Sequence, residues 1–118
     1  MHNIQNKNLQ ECITLCWECR TECQETLFHH CLPTGGKHAE AEHVKLMADC
    51  IQACQTAADF MTRGSTLSAV ECAACADVCE ACAKSCESIG GEEMKRCAEI
   101  CRRCAQSCRD MGQMKKAA

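Results

Sequence analysis

Strand-forming residues are scarce in this sequence. Trp17, Phe28 and Phe60 are its only aromatic side chains, tyrosine does not occur, and runs of β-branched residues are few. Pleated sheets select for both residue types, so a β-rich fold is excluded. Proline occurs once, at Pro33, which leaves long segments free of the strongest helix breaker. No apolar run is long enough to cross a bilayer, so no membrane partner is expected. Neither sign of charge dominates. The 13 basic and 16 acidic side chains give a net charge of −3, which argues against nucleic acid or another polyanion as partner. What the chain has in plenty is Ala, Glu, Lys, Arg, Gln and Met, all good helix formers, and cysteine.

The chain has 16 cysteines in 118 residues, above the level that usually marks a disulfide scaffold. That reading requires an oxidising compartment. The opening residues MHNIQNKNLQECITLC do not run from a basic start through an apolar stretch to a small-residue cleavage site. The expectation is therefore a cytoplasmic, reducing location, where structural disulfides are rare. Abundant thiols in that setting point to metal.

The length fits one compact domain, residues 1–118, and is too short for two. Four helices are predicted, over about 5–30, 38–62, 66–88 and 92–112. LPTGG at 32–36 ends the first, because Pro33 cannot continue a helix. Gly64 stops the second, Ser65 or Thr66 caps the third, and Gly90 and Gly91 break the chain again. Glu92 and Glu93 suit the N-terminus of the fourth. Short connections make successive helices antiparallel. The predicted fold is thus all-α, an antiparallel up-down-up-down four-helix bundle.

One stripe recurs on each helix at steps of three or four, which keeps its members on one face. The first carries Leu9, Cys12, Cys16, Cys19 and Cys23; the second His43, Met47, Cys50, Cys54, Ala57 and Met61. The third carries Cys72, Cys75, Cys79, Cys82 and Cys86; the fourth Met94, Cys97, Cys101, Cys104, Cys108 and Met111. Cys31 alone falls outside the stripes, whereas His30 stands one heptad beyond Cys23 and in phase with it. The other faces are mostly charged or small. Ile13, Leu15, Leu46, Ile51, Val78 and Ile100 are too sparse to form a core and are expected at seams or against another subunit. The predicted core is therefore lined with cysteine.

Buried cysteine can be simple packing, since a free thiol behaves as a small hydrophobe. Fifteen thiols on four stripes bury less apolar area than leucines would, so stability is given up and a function is implied. Disulfides within one helix would need distorted geometry. Charge then selects the metal. Sixteen buried thiolates need compensating cations, and zinc bound by four thiolates leaves two negative charges at every site. Monovalent Cu(I) cancels thiolate charge one for one when sulfurs are shared, and soft thiolates suit it. Multiple Cu(I) ions per chain are expected, with all of Cys12, Cys16, Cys19, Cys23, Cys31, Cys50, Cys54, Cys72, Cys75, Cys79, Cys82, Cys86, Cys97, Cys101, Cys104 and Cys108 as ligands. Iron–sulfur ligation, as in a ferredoxin-like electron-transfer protein, stays open as the alternative.

Two motif look-alikes weigh less. CITLCWEC at 12–19 and CAEICRRC at 97–104 share the spacing of a radical enzyme's cluster loop, but that spacing is also helical. Glu40 to His43 is one Glu-x-x-His, where di-iron bundles need two and inward glutamates besides. No Ser/His/Asp set, phosphate loop or inward carboxylate pair appears, so no enzyme is expected. The basic residues Lys95, Arg96, Arg102, Arg103 and Arg109 read as a solvated outer face.

CWECRTEC, CAACADVCEACAKSC and CAEICRRCAQSC, with the weaker CIQAC, together resemble the four-helix-bundle copper storage proteins, in particular their cytosolic branch. The resemblance spans roughly residues 8–112. It implies a bundle filled with Cu(I), a homotetramer, and one end open to ions and furnished with His or Met. That end falls where the first helix finishes and the second starts. There His43 and Met47 are the favoured ligands, in phase with Cys50, and His30 is next; Met94 and Cys97 lie at the same end. His29 and His38 are expected on the solvated surface, and Met61 and Met111 as a plug at the opposite end. Just two cysteines on the second helix imply a somewhat smaller capacity than cysteine-richer relatives have.

Overall fold

A computed structural model describes residues 4–113; the ends of the expected 1–118 span, residues 1–3 and 114–118, lie outside it. Four long helices, α1 (Ile4–Thr26), α2 (Ala41–Thr62), α3 (Ser68–Ile89) and α4 (Glu92–Gln113), run up-down-up-down. Each packs on its neighbours in the chain, and α4 returns to α1, which closes an antiparallel ring measuring 48 × 21 × 19 Å. No strand occurs among the described residues.

The predicted stripes face the axis. Every cysteine is at most 1% exposed, and His43, Met47, Ala57, Met61 and Met94 are buried with them. Leu9 and Met111, at the far end, are half-buried against this core. Buried alanines flank the thiols at heptad spacing, Ala76 and Ala83 on α3, Ala98 and Ala105 on α4. Such small side chains let α3 and α4 approach closely: a Cβ on Gly112 would come within 3.1 Å of Ala73. Ile13, Ile51, Val78 and Ile100 pack at the seams, half-buried against the core.

The first helix does not stop where its proline suggested. After Thr26 the chain makes a π-helical turn over Leu27–Cys31, in which the Leu32 N–H bonds to the Leu27 carbonyl five residues back. A further helical turn, Leu32–Thr34, follows, with Pro33 at its start where a missing N–H is tolerated. Gly35, at φ 74°, is what ends it, a conformation open to glycine. A 3-10 turn over Gly36–Ala39 holds His38, so α2 begins three residues later than predicted.

The π turn corrects the expected phase. At 100° per residue, Cys31 in an unbroken α-helix would sit about 80° from Cys23, and His30 about 20°. The wider turn absorbs one residue, so Leu27 and then Cys31 face the core while His30 moves to the rim, partly exposed. A smaller correction concerns α3. It starts at Ser68 without a side-chain cap, and Ser65 instead folds the tight turn before it, its Oγ accepting the Leu67 N–H at 3.0 Å.

Candidate metal centre

Sulfur lines the bundle axis from end to end. At the end formed by the start of α1 and the close of α4, the thiols of Cys12, Cys72 and Cys108 converge. Next come four quartets: Cys16, Cys75, Cys104 and Cys108; Cys54, Cys75, Cys79 and Cys104; Cys19, Cys50, Cys54 and Cys79; and Cys19, Cys23, Cys50 and Cys101. Within each group the sulfurs lie within 4.8 Å of one another, and each group shares a cysteine with the next. Contacts along this column include Cys16–Cys108 at 3.6 Å, Cys54–Cys79 at 3.7 Å and Cys23–Cys101 at 3.5 Å. Cys97 extends it, 3.6 Å from Cys23.

Toward the other end the donors change character. The Met47 Sδ lies 3.6 Å from the sulfurs of both Cys82 and Cys86. Beyond it, Cys31 Sγ stands 3.6 Å from His43 Nε2 and 3.9 Å from Met94 Sδ. His43 Nδ1 lies 2.7 Å from Ser85 Oγ. On the rim, His30 Nε2 is 3.8 Å from Glu93, and the His30 and His38 rings meet edge to face at 5.0 Å. His29 is exposed. The structure therefore brings together every cysteine, His43 and Met47, and sets His30 one layer outside. Sequence reading passed over Ser85 and left Cys31 outside the stripes. A serine next to Cys86 on the inward edge of α3 was a signal for the first; nothing in the residue order signalled the π turn that brings in the second.

Electrostatics follow from burial. Among the described residues, Thr26 and His43 are the buried polar side chains, and no carboxylate or ammonium reaches the axis. Ionised thiols there can be neutralised only by cations brought in from outside. Burial, with Cys97 and Cys82 facing it, pushes the Cys31 thiol up to about 11. Burial also lowers the His43 imidazole, keeping it neutral and able to donate a lone pair. Hydrogen bonds between thiols hold the Cys16 proton tightly, chiefly through Cys104, and loosen that of Cys97, chiefly through Cys101.

Part of the charged surface is self-paired. Arg102 bonds Glu87 at 2.8 Å, Arg109 bonds Asp77 and Glu80, and Arg96 approaches Glu22 at 3.5 Å. Arg96, Arg102 and Arg109 of α4 thus meet acids of this same chain. Glu40 is exposed ahead of α2, so the single Glu-x-x-His builds no carboxylate site.

Fold and site define a class: a four-helix bundle whose core is a continuous column of free thiols shared between overlapping ligand groups. Residues 5–113 match the family model described as copper storage protein, and the chain belongs to that family. The Nmul_A1745 protein from Nitrosospira multiformis is 46% identical, with a TM-score of 0.89 over 92% of this chain and 98% of that one. The Cu(I)-bound copper storage protein BsCsp3 is 30% identical, with a TM-score of 0.83 over 89% and 98%. Apo copper storage protein 3 from Bacillus subtilis is 32% identical, with a TM-score of 0.78 over 87% and 97%. The cysteine-rich protein YhjQ of Bacillus subtilis (strain 168) is 32% identical over 77 residues, 65% of this chain and 70% of its own length.

Proposed function

We propose that the protein stores Cu(I), several ions per chain, on the thiolates of its core. The sharing of sulfurs between successive ligand groups carries this reading. A shared thiolate bridges two ions, so a row of monovalent cations cancels the charge that isolated divalent sites would leave behind. The same continuity speaks against the iron–sulfur alternative. A cluster needs a cavity around four ligands, whereas here sulfurs touch at 3.5–4.0 Å along the whole column.

All sixteen cysteines serve as ligands in this reading, with His43, Met47 and Met94 at the mouth and His30 as an outer donor. Copper arrives at the mouth, displaces the Cys31 proton, and moves inward by exchange between neighbouring sulfurs. Storage without catalytic turnover is supported by cysteines at most 1% exposed, which keep bound copper away from solvent. A cytoplasmic location accords with a function that needs sixteen reduced thiols, since structural disulfides are rare there; separately, no described helix is long and apolar enough to cross a membrane. A homotetramer is what the family resemblance implies, and the groove between α1 and α4, where Trp17 and Ile100 lie among Glu22, Arg96 and Arg103, is a surface that another copy could cover.

Anaerobic titration of the reduced protein against a competing Cu(I) chelator tests the storage reading. Uptake of about one Cu(I) per cysteine is expected. Saturation at one or two equivalents overturns it, and a brown iron-containing protein from anaerobic purification would favour the alternative.

A further inference from the structure

The two ring nitrogens of His43 face different partners, Ser85 Oγ at 2.7 Å and Cys31 Sγ at 3.6 Å. A neutral imidazole has one N–H and one bare nitrogen, and its hydrogen bonds decide which is which. The bond to Ser85 is short and oxygen-based; the contact to Cys31 is long and to a weak sulfur partner. Ser85 lies within α3, and its hydroxyl, which can accept as well as donate, has His43 Nδ1 as its partner. A ring N–H gains more from this short bond to oxygen than from the long contact to sulfur, which favours Nδ1 as the protonated nitrogen.

We propose that Ser85 is a positioning residue: it accepts the Nδ1–H of His43 and so holds Nε2 bare and aimed at Cys31. The nitrogen lone pair and the Cys31 sulfur then form a preset pair of donors for a soft cation. Partners of this kind orient a ligating histidine, and their removal typically weakens metal capture 10- to 100-fold. The inference rests on the reading that His43 stands at the mouth of a Cu(I) store.

The test uses full-length metal-free protein with 15N-labelled histidine, under reductant at pH 8. Long-range proton–nitrogen correlation spectra report the tautomer of each ring, and His43 is assigned by the signal missing from H43N. The native protein is expected to show the Nδ1–H form for His43. Ser85→Ala is expected to lose that preference, and Ser85→Thr, which keeps the hydroxyl, to restore it. Stopped-flow uptake of the first equivalent from a Cu(I)–chelator complex should slow about 10-fold in S85A and recover in S85T. A native Nε2–H tautomer, or an S85A protein with unchanged tautomer and rate, overturns the proposal. Circular dichroism melting identifies a variant that fails to fold, in which case S85T against native protein decides: loss of the Nδ1–H form in a folded S85T overturns it. If the tautomer results hold but H43N takes up copper at the native rate, the positioning role stands and the reading of the mouth falls.

Discussion

Cys31 Sγ stands 3.6 Å from His43 Nε2, although the first residue lies in a π turn that follows α1 and the second in the first turn of α2. With Met94 beside them, the pair joins three chain segments at one end of the sulfur column. Sulfur, nitrogen and thioether thus meet at the mouth, where the interior is almost wholly thiol. Cys31→Ser is therefore expected to leave total Cu(I) capacity lower by about one ion but to slow uptake of the first equivalent about 10-fold, read by stopped-flow exchange from a chelator. Unchanged kinetics would place the mouth elsewhere.

Met47 links the mouth to the column, its thioether 3.6 Å from both Cys82 and Cys86. Met47→Leu preserves volume and should cost no more than about 1 kcal/mol of stability. The soft donor is lost with it, so filling beyond the first ions is expected to slow while the melting temperature falls by no more than about 5 °C. Time-resolved chelator competition separates the early and late phases.

The π turn acts as a one-residue insertion. Deleting His29 should convert it to regular α-helix and bring the former Cys31 onto the heptad from Cys23. The shortened protein is expected to fold with that thiol still protected from alkylation, at a stability cost of about 1 kcal/mol. Rapid alkylation of that cysteine in the folded protein, located by peptide mass analysis, would show that the turn does something else.

Alkaline pH should unfold the metal-free protein before the copper-loaded one. The Cys31 thiol rises from an ordinary 9.0 to about 11 because burial disfavours its anion. The folded state then holds this proton more tightly than the unfolded state does. Its contribution to stability is complete below pH 9.0 and is lost as the pH climbs through about 11. The apo melting temperature is expected to fall by roughly 5 °C or more across that window, and C31S to flatten the fall. Copper replaces the proton, so the loaded protein should show no such drop.

The α4 arginines make a contrasting surface case. Arg109 is bonded to Asp77 and Glu80 and is itself partly exposed. Arg109→Ala should leave both the melting temperature and copper uptake essentially unchanged, measured by thermal melting and chelator titration, because ion pairs in solvent contribute little.

The sequence by itself determined the helices, the inward stripes and the soft chemistry of the core. Steps of three and four along a helix can point only one way, and thiols placed on four such stripes must converge once the helices pack. The family resemblance read from those same stripes agrees with the family to which the chain belongs. Only the tertiary structure decided how the mouth is built. Periodicity assumes regular helix, and a π turn breaks that assumption, so Cys31 turned in and His30 turned out. Nor could residue order reveal that Ser85 of α3 would meet His43 of α2, because that contact depends on how two antiparallel helices align in height. Local periodicity fixes which face is buried; the register between helices, set by packing the whole bundle, fixes which donors share an ion.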